Sequence, residues 1–156
     1  MPKYRYLSDE ELIHLEDEFK QFLIVNHVYK EEWEKINVEN SEKALELVGL
    51  FSDQVLQRVY EKITFLEKRT KDACFLFHFG EEKLDLIIIQ SKNKNIDLGS
   101  IESIHEALKT NFKELDFFKS SRKYTKNREE EIHITLEQGA ELSSQDFWDL
   151  LTKIIT

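Results

Sequence analysis

The hydrophobic period changes at Thr64, and that change limits the architectures open to the chain. Before it, Ala44, Val48, Phe51, Val55, Val59 and Ile63 recur every three or four residues, the spacing of one helical face. After it, residues 65–70, 74–79 and 83–90 read as three strands separated by Lys71-Asp72 and Gly80-Glu81-Glu82. Connections this short cannot carry a parallel crossover, so these strands form an antiparallel meander. Leu86-Ile87-Ile88-Ile89 is apolar without alternation, which implies a central position in the sheet or cover on both faces. Residues 115–120, through Phe117 and Phe118, offer a fourth strand.

Helical signals flank this middle. Ser8 reads as an N-cap with Glu11 closing a capping box and Leu7 and Leu12 as a hydrophobic staple, opening an amphipathic helix to about Asn26. A short second helix, residues 29–36, carries Trp33. Asn40 caps a third, in which Gly49 and Ser52-Asp53 predict a bend or a restart, because Gly weakens a helix interior and Ser and Asp prefer caps. Beyond the sheet, Ser100 caps a helix to Thr110, and residues 128–138 form another that ends at Gly139. Ser143 is expected to open the last helix, with Asp146 in a capping box and Leu142 stapled to Phe147. The expectation is therefore a single α+β domain over residues 1–156. A small antiparallel sheet of three to four strands occupies the middle of the chain, with helices before and after it.

A chain of 156 residues supports one sizeable core, and its 11 Phe supply apolar surface that disordered chains lack. No apolar run approaches the 18 or so residues needed to cross a bilayer, so the expected address is cytoplasmic, without a membrane partner. Cys74 is the only cysteine and lies among Phe75, Leu76 and Phe77, which reads as a buried structural thiol. The net charge of −9 opposes non-specific attraction to nucleic acid or anionic lipid.

Five segments carry a likeness to known chains: residues 4–12, Glu31-Glu32-Trp33-Glu34-Lys35-Ile36, Leu50-Phe51-Ser52-Asp53, residues 74–79 and Gln138-Gly139-Ala140. Together they resemble a family of small uncharacterised cytoplasmic proteins from Bacteroidota, over essentially the whole chain. That resemblance brings no activity and no functional residues with it.

Among candidate chemistries, Glu stands three residues before His at Glu11 and His14, Glu102 and His105, and Glu130 and His133. On a helix this spacing puts both side chains on one face, as in carboxylate-bridged metal sites of bundles. Glu11 and Glu102 fall in first helical turns, however, where carboxylates complement the helix dipole, and the strands interrupt any bundle. No HExxH, GxSxG, Walker A or GxGxxG pattern occurs, so no catalytic residue, metal or cofactor is assigned. His78 lies in an aromatic strand whose alternation puts it with Leu76, opposite Phe75, Phe77 and Phe79. If the Phe face is the core, His78 is accessible as a base or a pH-sensitive contact.

A second local anomaly is electrostatic. Lys119, Arg122, Lys123, Lys126 and Arg128 stand within ten residues that contain no acid, so the −9 divides into +5 there and −14 elsewhere. With Tyr124 they make the candidate binding segment, read as a loop suited to phosphate or carboxylate. Asn127 also caps the next helix, whose Glu129, Glu130 and Glu131 can neutralise these cations. The expected role is a non-enzymatic cytosolic interaction or accessory module with an unknown protein partner. The alternatives are an RNA- or ribosome-associated factor using residues 119–128, and a metal-dependent enzyme using the Glu/His pairs. The oligomeric state is not legible.

Overall fold

The computed structural model describes residues 1–155, and its chain divides into two compact units, Met1–Glu61 and Lys62–Thr156.

The first unit is helical: α1 (Asp9–His14), α2 (Glu16–Val25), α3 (Lys30–Glu39) and α4 (Ser41–Glu61). The Ser8 capping box is present, with Glu11 N donating to Ser8 Oγ at 3.2 Å and Ser8 N donating to Glu11 Oε1 at 2.9 Å. Arg5 pairs with the same carboxylate at 2.8 Å. These bonds, led by that of Arg5, hold the Glu11 carboxyl down at about 2. The single helix expected up to Asn26 is interrupted at Leu15, where φ is −108° and ψ is 22°. The restart is electrostatically favourable, because Glu16, Asp17 and Glu18 occupy the first turn of α2.

Among the described residues two Schellman turns end helices. After α2, Val28 N donates to Leu23 O at 2.8 Å and His27 N to Ile24 O at 3.0 Å, with His27 at φ 62°. After α6 (Arg128–Glu137) the same pattern places Gly139 at φ 102°, as its sequence position predicts. Glycine adopts this left-handed conformation freely, whereas histidine has a Cβ that meets its own backbone.

The restart allowed for in α4 does not occur, and the helix runs unbroken from Ser41 to Glu61. Ser52 is fully buried and donates to Val48 O at 2.7 Å while accepting Leu7 N at 3.0 Å. Asp53 accepts Lys3 N and Tyr4 N at 2.7 and 3.0 Å. The residues that look like helix breakers thus tie the N-terminal segment to the side of a continuous helix. Gly49 serves the same contact, since a Cβ there would stand 3.3 Å from the Tyr6 ring. Around Phe19 the core gathers the rings of Trp33, Phe51 and Phe22, with centroids 5.0–6.2 Å away.

The second unit is built on a sheet of β1 (Phe65–Arg69), β2 (Ala73–Phe79), β3 (Lys83–Ser91), β4 (Leu115–Lys123) and β5 (Glu141–Leu142), in the order β4-β3-β2-β1-β5. All pairings are antiparallel. This corrects the three to four strands read from the sequence to five. The extra strand is only two residues long, too short to show a period. Cys74, Leu76, Ile87 and Ile89 share one sheet face and pack with Ile104 and Ala107 of α5 (Ile101–Thr110) and Trp148 and Leu151 of α7 (Gln145–Ile155). Burial lifts the Cys74 thiol to about 12, the inert thiol expected. Ser143 does not open α7: its N–H pairs with Phe65 O at 3.1 Å, and Ser144 caps instead, accepting Phe147 N at 3.2 Å. Strand pairing to β1 takes the residue that local capping rules favoured. Among the described residues no helix is long and apolar enough to cross a membrane.

One polar cluster lies on that apolar face. Glu67 is buried and meets Arg69 at 2.5 Å, and Arg69 also binds Glu141 on β5 at 2.7 Å. Two outcomes follow from these elements. His27→Gly should raise the unfolding free energy by about 0.5–1 kcal/mol in urea titrations, the relief of the left-handed backbone less the added unfolded-state entropy. Arg69→Met should lower it by about 3–5 kcal/mol, because Glu67 then has no cation, and Glu67→Met in the same chain should recover most of the loss.

Candidate functional site

The basic segment is not a loop. The strand expected to stop at Ser120 continues to Lys123, paired throughout with β3: Ile87 lies opposite Lys119, Asp85 opposite Ser121, Leu84 opposite Arg122 and Lys83 opposite Lys123. This stretch has no apolar alternation, so no strand period announces it; backbone pairing to β3 extends it where packing does not. Only Tyr124, Thr125, Lys126 and Asn127 remain as the connection to α6.

The six candidate residues separate into two groups. Arg122 meets Oε1 of the buried Glu131 at 2.5 Å, and the other oxygen of Glu131 accepts Thr125 N at 3.0 Å and Lys126 N at 3.4 Å. Burial alone would raise the Glu131 carboxyl, but these donors, Arg122 foremost, outweigh it and leave it below its ordinary 4.5. Arg128 donates to the carbonyls of Ile63 and Phe79 and lies 3.8 Å from Glu129. Tyr124 Oη donates to Gly80 O at 2.6 Å, and burial pushes its phenol up. These three side chains hold the β4–α6 connection against the ends of β1 and β2.

Lys119, Lys123 and Lys126 point to solvent, and among the described residues none of the three forms an ion pair. From Phe118 to Lys123 every residue of β4 is exposed on both faces. Because β4 ends the strand order, its outer side carries backbone donors and acceptors with no neighbouring strand among the described residues. The opposite edge, β5, has only two residues.

His78 lies elsewhere than the Phe-face premise put it. The core face is that of Cys74, Leu76 and His78, and the His78 ring stacks on Phe65 at 4.9 Å and lies tilted against Trp148 at 5.4 Å. Across the sheet, Asp85 Oδ2 is 3.3 Å from His78 Nδ1, and Ser121 Oγ donates to Asp85 Oδ1. Burial raises the Asp85 carboxyl, but the bonds from Ser121 and His78 bring it below its ordinary value. The acid stands between serine and histidine in this row. A nucleophilic triad instead needs the serine hydroxyl on the histidine ring. The row therefore orders the sheet surface beneath Ser121.

The Glu/His pairs lie on α1, α5 and α6. Glu11 is engaged by Arg5 and Ser8, and His105 packs on Phe147 at 5.5 Å. Among the described residues no group of three His, Cys, Asp or Glu side chains is placed to hold a metal ion. The feature that sequence reading missed is the exposed edge itself, which only strand order reveals.

The two groups of cations differ in what their loss costs. Arg122→Ala should destabilise the protein by about 1–3 kcal/mol by stranding a buried carboxylate, whereas Lys123→Ala should stay within about 0.5 kcal/mol, both read by urea unfolding. The Glu131 carboxyl is lowered in the folded protein, so its contribution is complete above the ordinary 4.5 and is lost as pH falls through the folded value. The stability difference between wild type and Glu131→Gln should accordingly shrink below pH 4.5.

A family model described as "Family of unknown function (DUF6495)" matches residues 1–156. No curated protein and no solved structure matches the chain.

Proposed function

Because the chain belongs to that family of unknown function, its role has to be read from its own geometry, and we propose that it is a non-enzymatic cytosolic interaction module. Its partner is a protein segment that adds to the sheet as an extended strand along β4. The observation that carries this reading is the exposed six-residue end of β4, residues 118–123, at the open edge of the sheet.

An open edge of this length offers main-chain hydrogen bonds to any extended chain, and side chains decide which chain is accepted. Lysine on an edge strand deters indiscriminate pairing. Here the two exposed lysines of the strand, Lys119 and Lys123, share a face, while Arg122 is committed to Glu131. They repel basic segments and attract acidic ones, so the device that prevents aggregation also sets specificity. A second copy of the chain is a poor occupant. Laid antiparallel about Ser121, it sets Lys119 of each copy directly against Lys123 of the other, like charge on like.

RNA binding through residues 119–128 competes with this reading, and one titration separates the two. The probes are a nine-residue peptide of alternating Glu and Thr, its Lys/Thr counterpart and a single-stranded RNA of equal charge, each followed by fluorescence anisotropy. The Glu/Thr peptide should bind, should protect β4 amides from hydrogen exchange, and should lose at least about tenfold in affinity, roughly 1.4 kcal/mol, with Lys119→Glu/Lys123→Glu. Binding of the RNA alone, with affinity falling steeply as salt rises, would replace this reading with the nucleic-acid one.

A further inference from the structure

The side chains around the open edge specify more than a negative charge. Successive residues of a strand face opposite sides, so Lys119, Ser121 and Lys123 lie on one face of β4 and Phe118, Ser120 and Arg122 on the other. A strand added to this edge has its residues directly opposite those of β4, with side chains about 4.5–5.5 Å apart on the shared face. The two free ammonium groups therefore meet positions four apart on an added strand. Position three apart from the first falls on the wrong face.

The face is also not uniformly positive. Lys83 stands on β3 opposite Lys123, but its ammonium lies 3.9 Å from Asp85 Oδ1, so the cations presented to an added strand are Lys119 and Lys123. Between the lysines stands Ser121, whose hydroxyl is spent on Asp85. Bonds from Ser121 and His78 keep that carboxylate in place, so the middle of the face is negative. A carboxylate opposite Ser121 meets like charge. On the other face, Phe118 is half exposed and among the described residues stacks on no other ring, which offers an apolar contact one position beyond Lys119.

The rest of the sheet is wholly antiparallel, and antiparallel pairing is the more stable per residue. Resting on the strand-addition reading above, we propose that β4 selects an antiparallel segment with the pattern acid-x-x-x-acid-apolar in which the central x is not acidic. The first acid lies opposite Lys123, the second opposite Lys119, and the apolar residue on Phe118.

The pattern makes an outcome that bulk electrostatics does not: removing a charge from the ligand tightens binding. The probes are four nine-residue peptides measured by anisotropy at one salt concentration. The reference is Thr-Thr-Glu-Thr-Thr-Thr-Glu-Val-Thr; the others add a third Glu midway between its two, move the second Glu one place closer, or reverse the order. The reference should bind at least about fivefold more tightly than each of the three. Lys119→Glu should abolish its advantage, and changing the peptide's second Glu to Lys should restore it, which also shows that the variant is folded. If all four acidic peptides bind alike and protect β4, the pattern is overturned while strand addition stands. If none binds β4, strand addition falls and the pattern with it.

Discussion

Burial of Ile87 and Ile89 against α5 and α7 settles the orientation of every other side chain in the sheet. Both are fully buried on the face they share with Cys74 and Leu76, and a strand cannot turn one side chain without turning all. Removing such side chains from water contributes about 1.5–3 kcal/mol each, far more than any surface charge preference can oppose. Through the register of β3 with β4, that apolar choice places Lys119, Ser121 and Lys123 on one side of the open edge and Phe118 on the other. The polar pattern of the proposed binding edge is thus a consequence of core packing on the neighbouring strand.

The same packing divides the basic segment according to the chemistry of its cations. Arginine has a planar fork of donors and is weakly hydrated, so Arg122 and Arg128 go to a buried carboxylate and to strand-end carbonyls. Lysine is a compact, strongly hydrated charge, and Lys119, Lys123 and Lys126 stay in water. A segment with one sign of charge in the sequence serves two purposes in the fold. Two of its cations hold the connection between β4 and α6, and two of the remaining three stand on the open edge strand.

Legibility followed the range of the interaction responsible. The Ser8 capping box and the Gly139 turn are satisfied within a few residues, and both were readable from spacing alone. Ser52, Asp53 and Ser143 obey the same local preferences, yet their hydrogen bonds go to Leu7, to Lys3 and Tyr4, and to Phe65. Partners so distant in sequence satisfy the polar groups without ending α4 or opening α7. The fifth strand and the last three residues of β4 were hidden for a related reason, since backbone pairing extends a strand where no side-chain period marks it. For the candidate site, the residues were visible as a charge anomaly, whereas their arrangement was not.

The sequence by itself determined the class of the fold, the position of the meander, the inert character of Cys74 and the presence of a segregated basic segment. Those properties depend on hydrophobic period, local caps and composition, which are all written in neighbouring residues. Tertiary structure alone decided that the segment is an edge strand, which of its cations remain available, and that Asp85 lies beneath its centre. Each of these depends on strand order and register, and register is set by which apolar face is buried.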